Sequence, residues 1–225
     1  MTLRIVALFT FFFLSACVSL DSAVTTPNLN AANDNVQLGL LYLQREENVN
    51  AKEKLLLALQ QAPNWPTALD AMAFYFESTG DQNQAGYYYR RALKSAPNSG
   101  QVLNNYGVFL CRHGAYQLAV PYFLKAAYQA EYVNTAAAYE NAGLCLMAKG
   151  DITHAELYFS KAITQDPKRL KSFLALAKIS FLQEKYHLSS SYLKRYLQLT
   201  KPNPQSHSLM LEIGRKLRDN RSIKS

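Results

Sequence analysis

Glycine and proline are scarce in this chain, nine and eight among 225 residues. Scarcity of both excludes a collagen-like repeat and low-complexity disorder. Histidine occurs four times, at 113, 154, 187 and 207, and no pair shows the HExxH or i,i+4 spacing of a zinc hydrolase. Cys111-x-His113 offers two metal ligands without a further two, which is half of a structural site. There is no glycine-rich phosphate loop and no G-x-S-x-G nucleophile elbow. These absences argue against an enzyme and against a cofactor or a small-molecule substrate. Acidic residues are outnumbered, 16 against 24 Lys and Arg, for a net charge of +8. That excess permits contact with nucleic acid or anionic membrane without demanding either. It is spread thinly except for Arg215, Lys216, Arg218, Arg221 and Lys224, which read as a solvated basic tail.

Long apolar runs are also lacking. The one near the start, Ile5 to Leu14 behind Arg4, has ten residues broken by Thr10. Crossing a bilayer takes about 20. A basic residue, a short apolar stretch and then small residues describe a secretory signal peptide, here residues 1–16. Leu14-Ser15-Ala16-Cys17 resembles the bacterial lipobox, in which the cysteine thiol is acylated and the chain is cut just before it. Cys17 is therefore expected as the mature N-terminus and covalent lipid anchor. Several acyl chains, each buried CH₂ contributing about 0.8 kcal/mol, make such an anchor stable. Val18 and Ser19 follow, with no Asp after the cysteine, which by resemblance to enterobacterial sorting points to the periplasmic side of the outer membrane. Residues 17–31, rich in Asn, Thr, Ser and Ala, read as a flexible tether.

What fills the remainder is one repeated unit. Pro63 and Pro97 stand 34 residues apart, each between Ala and Asn, and Pro167 follows after two more periods plus two residues. With Asn134-Thr135 as the insertion, repeats span 32–65, 66–99, 100–133, 136–169 and 170–203, followed by a partial sixth repeat and tail at 204–225. Position 8 is Gly39, Ala73, Gly107, Gly143 and Ala177, and position 20 is Ala51, Ala85, Ala119, Ala155 and Ser189. Position 27 is Ala58, Ala92, Ala126 and Ala162, with Tyr196 as the misfit, while position 24 is large throughout: Leu55, Tyr89, Phe123, Phe159 and Leu193. Small residues at fixed crossing points let two antiparallel helices approach closely. The period and the small/large pattern resemble the tetratricopeptide repeat, which implies an all-α superhelical solenoid of helix-turn-helix units. Gly80, Gly114 and Gly150 fall at the turn between the two helices of a repeat. Pro121, in the second turn of a second helix, is expected to cost a hydrogen bond and kink it. A half repeat with a charged outer face serves as the solenoid's cap.

In the tetratricopeptide pattern, positions 2, 5, 6, 9 and 12 of the first helix line the concave side. These include Val36, Leu40 and Leu43, then Asp70, Phe74 and Glu77, then Asn104, Asn105 and Val108, then Glu140, Asn141 and Leu144. Asparagine amides there can hold the backbone of an extended peptide while apolar residues take its side chains. The same amides could instead satisfy only neighbouring helix groups. The Tyr87-Tyr88-Tyr89 run suggests stacking on nucleic acid, but on a second helix it is better explained by packing in the repeat core.

Asn104-Asn105-Tyr106-Gly107-Val108-Phe109-Leu110 in the third repeat and Asn141-Ala142-Gly143 in the fourth resemble the PilF/PilW family, as does Gln37-Leu38-Gly39-Leu40-x-Tyr42-Leu43 in the first. Its members are outer-membrane tetratricopeptide lipoproteins of the type IV pilus system, acting as pilotins that help the secretin pore reach or assemble in the membrane. The resemblance implies a non-catalytic protein whose partner is the pilus secretin subunit. The family pattern has six repeats, whereas the sixth here stops after one helix. A different reading from the same lipobox and repeats is a scaffold of another envelope machine, for outer-membrane protein insertion or peptidoglycan-enzyme recruitment. With Cys17 acylated, Cys111 and Cys145 remain, on adjacent first helices in an oxidising compartment, and are expected to form a disulfide; the alternative is two separate buried thiols.

Overall fold

A computed structural model of the chain describes residues 28–222, and the expected signal peptide, Cys17 and most of the expected tether lie outside them. Among the described residues, eleven helices follow one another with no strand. They are α1 (Leu29–Gln44), α2 (Asn48–Gln61), α3 (Pro66–Ser78), α4 (Gln82–Ser95), α5 (Gly100–Arg112), α6 (Tyr116–Ala127), α7 (Thr135–Lys149), α8 (Ile152–Gln165), α9 (Leu170–Leu182), α10 (Tyr186–Leu199) and α11 (Pro204–Ser222). Each odd-numbered helix from α1 to α9 packs on the next as a repeat, and the odd-numbered helices also lie side by side. α11 rests against α9 and α10.

The spacing of small and large residues explains the pairing. A Cβ added at Gly107 would fall 2.8 Å from Phe123, and one at Gly39 or Gly143 would meet Leu55 or Phe159 in the same way. Position 8 of each first helix is therefore the seat for the position 24 side chain of its partner. Phe123 and Phe159 are fully buried there, each contributing roughly 1.5–3 kcal/mol of hydrophobic stabilisation. The alanines at positions 20 and 27 have no solvent contact. Ser189 substitutes for alanine in the fifth repeat at no polar cost, because its hydroxyl donates to the Ala177 carbonyl at 2.7 Å. Tyr196, the misfit at position 27, is buried and its hydroxyl accepts from Asn203 Nδ2 at 2.9 Å.

Every turn inside a repeat closes the same way. The N–H of Glu47, Asp81, Ala115, Asp151 and Lys185 donates at 2.9 Å to the carbonyl five residues earlier, the long bond of a Schellman cap. The residue before each is left-handed: Gly80, Gly114 and Gly150, but also Glu46 at φ 63° and Glu184 at φ 59°. Two of the five second helices, α4 and α8, begin at side-chain caps, with Asp81 accepting from Gln84 N and Asp151 from His154 N.

Several boundaries differ from expectation. α1 starts at Leu29 rather than Ala32, because Asn28 caps it by accepting from Ala31 N, and Ala32 is already in the core. Residues 29–31 are thus helix and not tether. The two-residue insertion does not stay at 134–135. α6 ends at Ala127, and residues 128–134 form a loop that seats the ring of Tyr132 against Gly100. Pro121 lies inside α6 and the helix continues through it to Ala127. The carbonyl it leaves unpaired is that of Gln117, on the exposed side, where water can satisfy it. Arg215, Lys216 and Arg218 belong to α11 and not to a loose tail. That helix is capped by Asn203 and Ser206 reciprocally, the Ser206 N–H donating to Asn203 Oδ1 at 2.8 Å and the Asn203 N–H to Ser206 Oγ at 2.9 Å. Leu209 and Ile213 are buried against the fifth repeat, whereas Leu211 is exposed.

Candidate peptide-binding groove

The first helices of four repeats bring their inward positions to one groove of about 620 Å³. Its walls are Val36 and Leu40 from α1, Asp70, Phe74 and Glu77 from α3, Asn105, Val108 and Arg112 from α5, and Asn141 from α7, with Tyr89 of α4 behind them. A second hollow, of about 880 Å³, continues from it over Leu40, Leu41, Leu43 and Phe74. Phe74 stands between the two and is 42% exposed, although its neighbours Ala73 and Tyr75 are buried. Concave, mostly apolar walls with a few convergent polar groups are the form of a ligand site.

The polar groups divide into two sets. Glu77 is fully engaged, accepting from Arg112 Nη1 at 3.2 Å and from the Tyr89 hydroxyl at 3.0 Å. Burial and the neighbouring Glu77 and Asp70 carboxylates push the Tyr89 phenol up, so it stays a donor. Asp70 accepts only from Asn105 Nδ2, through Oδ2. Its Oδ1 is out of contact with solvent and has no hydrogen-bond partner. Burial pushes the Asp70 carboxyl up to about 7; the Asn105 hydrogen bond opposes this and Glu77 adds to it.

The asparagines form a ladder across α5 and α7, carried on to α3 by the bond from Asn105 to Asp70. Asn141 Nδ2 of α7 donates to Asn104 Oδ1 at 2.9 Å, and Asn104 Nδ2 reaches Asn105 Oδ1 at 3.4 Å. Gln101 Nε2 also donates to Asn105 Oδ1, at 3.0 Å. All three amides tie neighbouring helices, and Asn105 and Asn141 also line the groove.

Comparison with known proteins places this chain in a lineage. Tetratricopeptide-repeat family models match residues 83–134 and 136–169. The type IV pilus assembly protein PilF of Pseudomonas aeruginosa is 29% identical over 184 residues, covering 82% of this chain and 73% of that protein. An uncharacterized protein of Haemophilus influenzae is 32% identical over 165 residues, 73% of this chain and 92% of its own length. The solved structure of Pseudomonas aeruginosa PilF superposes with a TM-score of 0.78 at 29% identity, covering 85% of this chain and 86% of that one. That of PilW, described as a widely conserved type IV pilus biogenesis factor, gives 0.73 at 26% identity over 83% and 86%. The chain belongs to the tetratricopeptide-repeat proteins related to PilF and PilW.

Within this PilF-related solenoid, three of the residues expected in the groove do something else. Glu140 is only 3% exposed and ties the fourth repeat to the fifth, accepting from Arg169 Nη2 at 2.6 Å and from the Ser172 hydroxyl at 2.8 Å. Arg169, in the turn before α9, reaches back to it, so its carboxylate is spent on structure. Leu144 packs in the core between the same two repeats. Asn104 is a buried rung of the ladder and not on the groove surface. Conversely, Arg112 and Tyr89 line the groove without having been expected there. Arg112, at position 13, is one place beyond the expected stripe, and only its pairing with Glu77 across adjacent helices could have flagged it.

Cys111 and Cys145 are joined, with Cα atoms 5.8 Å apart, inside the range a disulfide allows. The bond ties α5 to α7 alongside the asparagine ladder. His113 is occupied locally, its Nδ1 2.7 Å from the Phe109 carbonyl. Among the described residues no group of three or more His, Cys, Asp or Glu is placed to hold a metal ion, and no helix is long and apolar enough to cross a membrane. Of the three consecutive tyrosines, Tyr89 is buried in the core, Tyr88 stacks on Phe76 with Arg91 over it, and Tyr87 is exposed.

Proposed function

We propose that the protein is a non-catalytic lipoprotein of the outer membrane, anchored through Cys17 and facing the periplasm, whose groove binds the type IV pilus secretin subunit and promotes its assembly. The observation that carries this reading is the groove itself: apolar Leu40, Phe74 and Val108 gathered around polar Asn105 and Asn141, in a chain homologous to a pilus assembly protein. The lipobox around Cys17 supports the anchor, and the concave surface suits an extended segment of a protein partner. Phe74 is the natural anchor point, because a large aromatic exposed at the centre of a groove is what an interface hot spot requires.

The test is binding of the purified protein to the secretin subunit of the same organism. Phe74→Ala should weaken the complex at least about fivefold, the equivalent of roughly 1 kcal/mol, while keeping helix content and a cooperative melt, since the residue is 42% exposed and outside the buried core. Unchanged affinity in a folded Phe74→Ala variant would remove the groove from this role.

A further inference from the structure

Asp70 is the one groove carboxyl left half-satisfied. Glu77 has two donors, from Arg112 and Tyr89, whereas Asp70 has one, from Asn105, and its Oδ1 is buried with none. Leaving a desolvated acceptor without a partner is costly, and a charged one more so. Natural proteins tolerate such a group where function uses it. The residue lines the groove, and because Oδ1 itself is shut off from solvent, a donor filling the groove reaches it only with a small shift of the side chains around it.

The chemistry of that donor is restricted. With Asp70 ionised, Asp70 and Glu77 against Arg112 leave one negative charge in excess, so a cation is the complementary partner. Asn105 holds Oδ2, which leaves a single oxygen, and a planar guanidinium fork needs two. Arg112 adds its own positive charge nearby. A lysine ammonium, a compact point donor on a flexible apolar stem, matches both limits. Its stem would lie along Val36, Leu40 and Val108, and Phe74 offers contact to a neighbouring apolar side chain.

Building on the groove reading above, we propose that this site selects an extended peptide segment carrying a lysine beside a large apolar residue, with the lysine ammonium donating to Oδ1 of Asp70. A neutral backbone N–H could reach the same atom, but it would leave the buried charge unbalanced. The pairing also makes recognition pH-sensitive. In the free protein the Asp70 carboxyl titrates at about 7. The charged or titratable groups facing it are Glu77 from α3, Tyr89 from α4 and Arg112 from α5, while α1 contributes Val36 and Leu40. Binding draws on the ionised carboxylate, so affinity should be about tenfold weaker at pH 6 than at pH 8.

The experiment selects random linear peptides on the purified protein and on its Asp70→Asn and Phe74→Ala variants, and then measures dissociation constants for the enriched sequences. The proposal expects lysine next to a large apolar residue on the wild type. Changing that lysine to norleucine should weaken binding about tenfold or more on the wild type and less than about twofold on Asp70→Asn. Asparagine is isosteric with aspartate and keeps a hydrogen bond with Asn105 possible, so a melting curve suffices to show that the variant is folded. Peptides that bind through Phe74 but show no lysine preference, or accept arginine equally, would overturn this inference and leave the groove reading standing. Failure to enrich any peptide sensitive to Phe74→Ala would overturn both.

Discussion

Each turn between paired helices needs one residue in the left-handed region, and in two of the five that residue is a glutamate. Glu46 and Glu184 hold φ of 63° and 59° where the three central repeats use glycine. Side chains with a Cβ pay a steric cost there that glycine avoids, partly offset by glycine's greater freedom in the unfolded chain. Glu46→Gly and Glu184→Gly should each stabilise the fold by about 0.5–1 kcal/mol, read from urea melts; a loss of stability would mean that the glutamate side chains make contacts that outweigh the strain. The glycines of the central turns were legible in the sequence by register. The two glutamates were not, because nothing in a glutamate's chemistry announces positive φ; only the repeat alignment points to it. Asp70 carries the second prediction at this scale. Its folded value, about 7, lies above the usual carboxylate value of about 4. The unfolded chain therefore loses this proton first, and folding takes one up between roughly pH 4 and 7. Stability from this group is fully present below about pH 4 and is lost as pH rises through 7. Asp70→Asn should thus be more stable than wild type at pH 8, by on the order of 2–4 kcal/mol, with the advantage shrinking by pH 5. An advantage independent of pH would show that Asp70 does not titrate in this range.

Among the helices, position 8 does most to set the spacing, and the pattern extends to where it stops. In five repeats it is Gly or Ala beneath a large side chain of the second helix. In α11 the equivalent position is Leu211, 59% exposed, and no second helix packs on it among the described residues. Sequence periodicity revealed this architecture because close helix packing leaves so little choice at the crossing points. The groove was only partly legible. The stripe of inward positions brings Val36, Leu40, Asp70, Phe74, Glu77, Asn105, Val108 and Asn141 to the groove wall, since it depends on helix periodicity alone. It failed at Glu140 and Leu144, where a longer-range partner, Arg169, and the core of the next repeat captured the side chains. The Cys111–Cys145 bond acts on this scale too, joining α5 to α7 across a loop of 34 residues. Replacing both cysteines with alanine should lower stability by about 3–4 kcal/mol if the bond acts by restricting the unfolded chain. A reducing agent should lower the wild-type melting temperature and leave that of the double variant unchanged; equal sensitivity in both would show that the bond is not the source.

For the molecule as a whole, the solenoid presents one concave surface whose apolar residues concentrate in the first three repeats, at the end that follows the proposed anchor. Because α1 starts at Leu29, the segment from Val18 to Asn28 has eleven residues, which reach at most about 40 Å when fully extended. If Cys17 is acylated, that length keeps the groove near the inner leaflet of the outer membrane, where secretin subunits would arrive. The tether, the anchor and the groove then form one geometric device for holding a subunit beside its destination. The most direct measurement compares heat- and detergent-resistant secretin multimers in outer-membrane fractions from wild-type cells and from a strain lacking this gene. The account predicts that multimers fall sharply in the deletion strain and return when the gene is restored. Normal multimer levels in the deletion strain would contradict it.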